Sequence, residues 1–118
     1  MVVYRAQGSY EDAKQNLDTA IEGRGLLVRG ISHVSDMLNR TGKDRGFPKE
    51  VFSKAEAHEF CSADLSHRMV LVDRGNLTTC PLTVAVYVLN DQPDQVYVAF
   101  RRQVLTGHGK KEIERRLF

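Results

Sequence analysis

The sequence predicts one α+β domain, in the order β-α-β-α-β-α-β-β-α, with a central β hairpin and helices packed on the sheet. Three observations lead there. Short β-branched and aromatic runs alternate with segments whose apolar residues recur every three or four positions. In the last third, Leu82 to Leu89 and Val96 to Phe100 flank the turn segment NDQPDQ, a hairpin signature. A chain of 118 residues is long enough for one core and too short for two.

Val2 to Ala6 reads as the first strand. Ser9 then opens a helix, with Asp12 three residues on in a near capping box. Ala13, Leu17, Ala20 and Ile21 give that helix one apolar face, and Gly23 and Gly25 end it. Leu26 to Ile31 is the second strand, and Val34, Met37 and Leu38 mark a short helix stopping by Gly42. Residues 39 to 50, NRTGKDRGFPKE, read as a charged surface loop with little to bury, whose Lys43, Arg45 and Lys49 could attract an anion.

Val51 to Cys61 reads as the third strand. Alternation places Phe52, Lys54, Glu56, His58 and Phe60 on one face, and Cys61 on the other. Ser62 is the expected N-cap of a helix carrying Leu65, Met69 and Val72, ended by DRGN at Asp73 to Asn76. The two hairpin strands look continuously apolar, which predicts a sheet covered on both faces. After Gly107 and Gly109, Lys110 begins a last helix with Ile113 and Leu117 on one side, running into Phe118.

Candidate chemistry centres on two cysteines and one histidine. Cys61 precedes a helix N-terminus, where the dipole favours a thiolate, although a packed and inert thiol is the commoner outcome for cysteine. Cys80 precedes Pro81, and the eighteen residues between the cysteines could hold a helix and a return strand, bringing both thiols to one sheet edge. A disulfide, a two-thiol site and two inert thiols all stay open. His33 lies four residues before Met37, so the two could face one pocket, and a His and Met pair can ligate iron. With no CxxCH motif, only a non-covalent haem b would fit. His67 reads as a surface residue, His58 points away from Cys61, and His108 lies in a loop.

Composition narrows the classes. Net charge is +2, and the basic pairs near the C-terminus lack an aromatic platform, which argues against nucleic acid. The longest apolar run, Val84 to Leu89, has six residues against the roughly 18 that a membrane span requires. CxxC, HExxH, GxSxG, Walker and dinucleotide motifs are missing, and no spacing picks out a catalytic triad. The N-terminus lacks signal-peptide features, and the expected compartment is the periplasm if Met1 replaces a removed signal peptide and otherwise the cytoplasm.

The segments EGRGLLVRGISHVSDMLNRTGKD, HEFCSADLSHRM and CPLTVAVYVLNDQPDQVYVAFRR resemble the family known as domain of unknown function 302. The resemblance runs from Ser9 to about Arg102 and implies a small α+β protein that forms a homodimer. Many members carry Asn-Pro after the first cysteine, where this chain has Ser62 and Ala63. Many also carry an acidic-Pro pair before the second, where it has Asp73 and Arg74. The FCSA and CP forms resemble a branch from sulfur-oxidising and related bacteria, often exported. The expected function is a dimeric small-ligand or redox-cofactor binding protein without assigned catalysis. In it, His33, Met37, Cys61 and Cys80 are the site residues, and His33 is the metal ligand of a haem. The alternative is a non-catalytic dimeric module that docks a partner protein, its cysteines buried and inert.

Overall fold

The computed structural model describes residues 1–47 and 49–117, with side chains described up to Arg115. Five strands, β1 (Val2–Ala6), β2 (Leu27–Ser32), β3 (Phe52–Cys61), β4 (Leu82–Leu89) and β5 (Val96–Phe100), form one antiparallel sheet in the order β1-β5-β4-β3-β2. The helices are α1 (Tyr10–Gly23), α2 (Val34–Gly42), α3 (Ala63–Val72) and α4 (Lys110–Leu117). The predicted order of strands and helices is the one observed, with β4 at the sheet's centre. The parts of the last-helix expectation that involve the Leu117 side chain and Phe118 lie outside what is described.

The capping box predicted for α1 is formed. Ser9 Oγ accepts from the Asp12 N–H at 3.1 Å, and the Asp12 carboxylate accepts from the Ser9 N–H at 3.4 Å. These bonds satisfy donors that the first helical turn leaves free. Ser62 caps α3 in the same way, its hydroxyl accepting from Leu65 N–H. Beyond α3, a 3-10 segment not foreseen from the sequence spans Arg74–Thr79. Its buried Asn76 donates to the Met69 and Thr106 carbonyls and accepts from Thr106 N–H, all at 2.9 Å. The side chain thereby ties the end of α3 to the segment after β5. At Gly107, φ is +107°, and a Cβ would stand 2.5 Å from the Val72 carbonyl oxygen, so this crossing requires glycine.

One expectation is corrected. Helices cover only one face of the sheet at the hairpin. Leu82, Val84, Val86 and Val88 of β4 are buried on that face, where Ile21, Met69 and Ile113 from α1, α3 and α4 join the same core. Thr83, Ala85, Tyr87 and Leu89 alternate to the opposite face and retain exposure. The run looked continuously apolar because alanine and tyrosine count as hydrophobic, yet both suit the open face of an antiparallel sheet. Burying Val86 completely contributes about 1.5–3 kcal/mol relative to leaving it in water.

A bulge in β3 changes which way Phe52 points. Lys54 pairs with Val88 but Phe52 pairs with Leu89, so two β3 steps match one β4 step. Lys54, Glu56, His58 and Phe60 pair with Val88, Val86, Val84 and Leu82 and share their helix-covered face. Phe52 instead meets the Tyr87 ring edge-on at 5.5 Å, on the open side. The expectation that Phe52 shares a face with His58 is therefore corrected.

Residues 39–46 are also more regular in form than a loop. Residues 39–42 continue α2, and a 3-10 turn follows at Lys43–Arg45, closed by Gly46 with φ +85°. Helix α2 packs beside β3. There the Ser35 hydroxyl accepts from the Ala55 N–H at 3.0 Å, at a stretch of β3 that β2 does not pair.

Candidate functional site

Two concave regions flank α2, and they differ in chemistry. The first is a cavity of about 530 Å³ between α2, the 3-10 turn and the start of β3. Its apolar lining comes from Met37, Leu38, Phe47, Val51 and Phe52, and Lys43, Arg45, Lys49 and Glu50 also border it. The apolar side chains reach it for separate local reasons. Met37 and Leu38 lie on α2, Phe52 is turned by the bulge, and Phe47 follows the left-handed Gly46. Phe47 remains 71% exposed and Met37 45%, so together they present an apolar surface at the cavity.

The cavity walls are anchored. Phe47 N–H donates to the Gly42 carbonyl at 2.7 Å, closing the turn that carries the phenylalanine. On the other side, Asn90 Nδ2 donates to the Glu50 carbonyl at 2.8 Å, and Asn90 N–H donates to the Val51 carbonyl at 2.9 Å. Among the described residues, Lys43, Arg45 and Lys49 enter no ion pair.

The second region is a charge network between α1 and β3. His58 is 0% exposed, with Nδ1 2.7 Å from Asp18 Oδ1 and Nε2 3.2 Å from Glu56 Oε2. Each ring nitrogen thus faces a carboxylate oxygen, an arrangement in which the doubly protonated ring can donate to both. The other Glu56 oxygen lies 3.1 Å from Lys14 Nζ and 3.5 Å from His33 Nδ1. Burial by itself would raise the Glu56 carboxyl. Hydrogen bonds and charge from Lys14 and His58 outweigh that effect and hold it below the usual carboxylate value. The Lys14 ammonium is raised in turn, chiefly by its hydrogen bond to Glu56.

This network opens onto a polar pocket of about 230 Å³ that includes Tyr10, Lys14, His33, Asp36, Lys54 and Glu56. Lys14 and Lys54 both sit over the Tyr10 ring, at 5.2 and 5.5 Å from its centroid. Burial, then the nearby Glu56, Glu11 and Asp36 carboxylates, push the Tyr10 phenol up, so it remains a neutral hydroxyl. Glu11, Lys14, His33 and Glu56 have partners within this pocket, and Lys54 lies over the Tyr10 ring. The arrangement ties α1 to β3 and leaves few groups to offer a ligand.

The four site residues expected from the sequence are not brought together. His33, 63% exposed at its side chain, turns toward Glu56 and the polar pocket, whereas Met37 borders the apolar cavity. The helix-start backbone explains the split. His33 is the N-cap of α2, with φ −85° and ψ 78°, so the one-turn spacing to Met37 does not align their side chains. They do not fit a haem held between them. Among the described residues, no three His, Cys, Asp or Glu side chains converge as a metal site would require.

Cys61 and Cys80 are both free thiols at the same end of the β3–β4 pair. Cys80 packs against the core that holds Met69 and Leu82, with Sγ 3.4 Å from Ser66 Oγ on α3. Cys61 follows the core-facing Phe60 and so points to the opposite side of the sheet. The strand alternation separates the thiols rather than pairing them. His67 and His108 are exposed, as expected.

Sequence reasoning missed the apolar floor of the cavity. The partners of His58 are the carboxylates of Asp18, forty residues away, and Glu56, rather than a cysteine. A signal for the network was present: Lys54, Glu56 and His58 alternate on the same strand face as Phe60, which puts charge where a core should be.

Comparison with known proteins bears on the fold. A family model described as Domain of unknown function DUF302 matches residues 2–115. Among solved structures, an uncharacterized conserved protein DUF302 from Bacillus stearothermophilus superimposes with a TM-score of 0.69 at 13% identity. That likeness covers 86% of this chain and 72% of the other. No curated protein matches the chain. Among the described residues, no helix is long and apolar enough to cross a membrane.

Proposed function

This chain belongs to the DUF302 family, and we propose that it is a non-catalytic small-ligand binding protein whose ligand occupies the cavity beside α2. The carrying observation is the cavity itself, about 530 Å³ with an apolar floor and polar groups at its border. That volume lies within the roughly 300–1,000 Å³ of small-molecule sites, and the lining has their usual character. The anchored walls support a site that is largely formed before binding. Met37, a site residue expected from the sequence, contributes to the floor; His33, Cys61 and Cys80 do not enter this reading.

The test is a titration with Nile red, a neutral dye that fluoresces in apolar surroundings. Saturable binding at one dye per chain, weakened by Leu38→Asp, is expected. Absence of saturable binding contradicts the proposal.

The proposal includes pairing of two copies. Ala57, Ala85, Tyr97 and Ala99 lie on the sheet face away from the helical core, and their small and aromatic character suits a second copy. Sedimentation velocity should give a dimer mass; a monomer at high micromolar concentration removes this part. A second reading, a dimeric module that docks a partner protein with inert cysteines, is favoured by the packing of Cys80 in the core. It predicts slow thiol labelling together with no dye binding.

A further inference from the structure

We infer that the ligand of the α2 cavity is an amphipathic anion, an acyl carboxylate whose chain lies on the apolar floor and whose head group meets the basic border. The inference rests on the ligand-binding reading above and adds the chemical class. Three cations, Lys43, Arg45 and Lys49, border the cavity against one carboxylate, Glu50, a local excess of two positive charges. Among the described residues these cations are in no ion pair, in contrast to Lys14 in the buried network. All three are exposed, so a head group placed among them remains partly hydrated and avoids the penalty of burying a charge. The floor formed by Met37, Leu38, Phe47, Val51 and Phe52 is apolar, with Asn39 and Thr41 adding polar groups to the lining. A neutral polar ligand would leave that floor wet, and a cation would meet like charge at the border.

Concavity distinguishes a single molecule from a membrane surface as the occupant. Phe47, Val51 and Phe52 line a hollow of about 530 Å³, which a single chain-like molecule fills more completely than a flat bilayer surface does. The head-group preference should be modest, because each contact with an exposed cation contributes little; together they favour carboxylate over a neutral head group by about tenfold.

The experiment displaces Nile red from the full chain with decanoate, decanol and decyltrimethylammonium, each below its micelle concentration. Decanoate should displace the dye at about tenfold lower concentration than decanol, with the cation weakest, and high salt should shrink the preference. In K43Q/R45Q/K49Q, decanoate and decanol should displace the dye at equal concentrations, each compared within that variant; a preference for decanoate that persists there overturns the inference. Equal displacement by decanoate and decanol in the wild-type chain overturns the inference while the cavity reading stands. A wild-type chain that binds no dye overturns both. Sedimentation with phosphatidylglycerol vesicles, without displacement by decanoate, also overturns it and assigns the basic face to lipid surfaces.

Discussion

Helix α2 divides two regions that handle charge in opposite ways. On one side, Asp18, His58, Glu56 and Lys14 are joined in a chain of contacts from 2.7 to 3.2 Å, within a fold that excludes water from His58. On the other, Lys43, Arg45 and Lys49 stand in solvent beside an apolar hollow. A network whose groups satisfy one another contributes to the geometry of the fold. Free cations next to an exposed apolar floor leave interactions unmade, and a ligand can make them. The more elaborate polar site is thus the poorer candidate for binding.

The widest separation should come from breaking the network. Glu56→Ala leaves Lys14 only Glu11 and His58 only Asp18 as carboxylate partners, and should cost about 3 kcal/mol in urea unfolding. Dye affinity at the cavity should stay within about twofold wherever the variant is folded, since sites without shared partners act independently. Should Glu56→Ala abolish dye binding in folded protein, the division fails.

Acid sharpens the same contrast. The Glu56 carboxyl is lowered in the fold from an ordinary value of 4.5, so its stabilising share is complete above that value. The share is lost as pH falls through the lower, folded value. Urea midpoints between pH 3 and 7 should drop on the acid side, and Glu56→Gln should flatten that drop. The Lys14 shift has the opposite sign. Raised from 10.5, it stabilises fully below that value and fades as pH rises through the folded one.

Gly42→Ala probes the cavity wall. An added Cβ would stand 2.7 Å from the Phe47 carbonyl oxygen, and the backbone there has to shift. The expected cost is about 1–3 kcal/mol, with weaker dye binding as well. Normal affinity would mean that the turn does not shape the site. The smallest stability effect belongs to Phe47→Ser, within about 0.5 kcal/mol because the ring is exposed. Calorimetry of decanoate binding to that variant should nevertheless show affinity reduced by about tenfold, the loss of one apolar contact of a few CH₂ groups.

How far the sequence made these regions legible depends on how local each signal was. Strand and helix order followed from periodicity and caps, and Ser9 with Asp12 shows why: the whole capping signal lies within four residues. The cavity did not. Lys43, Arg45 and Lys49 lie close together in sequence, yet the apolar floor beside them joins Met37 and Leu38 to Val51 and Phe52. A bulge then turns Phe52, and no alternating pattern predicts that turn. The His33–Met37 pairing assumed helical geometry at a residue that is only the N-cap. The Cys61–Cys80 expectation brought both thiols to one sheet edge, whereas they lie at one end of the inner β3–β4 pair and face opposite sides.

The most direct test follows backbone amide shifts in a ¹⁵N–¹H correlation spectrum during titration with decanoate. The account predicts saturable shifts confined to the stretch from Met37 to Phe52, with the amides of Lys14, Asp18 and His58 unmoved. Shifts centred on α1 and the His58 stretch of β3, with the α2 cavity silent, would contradict it.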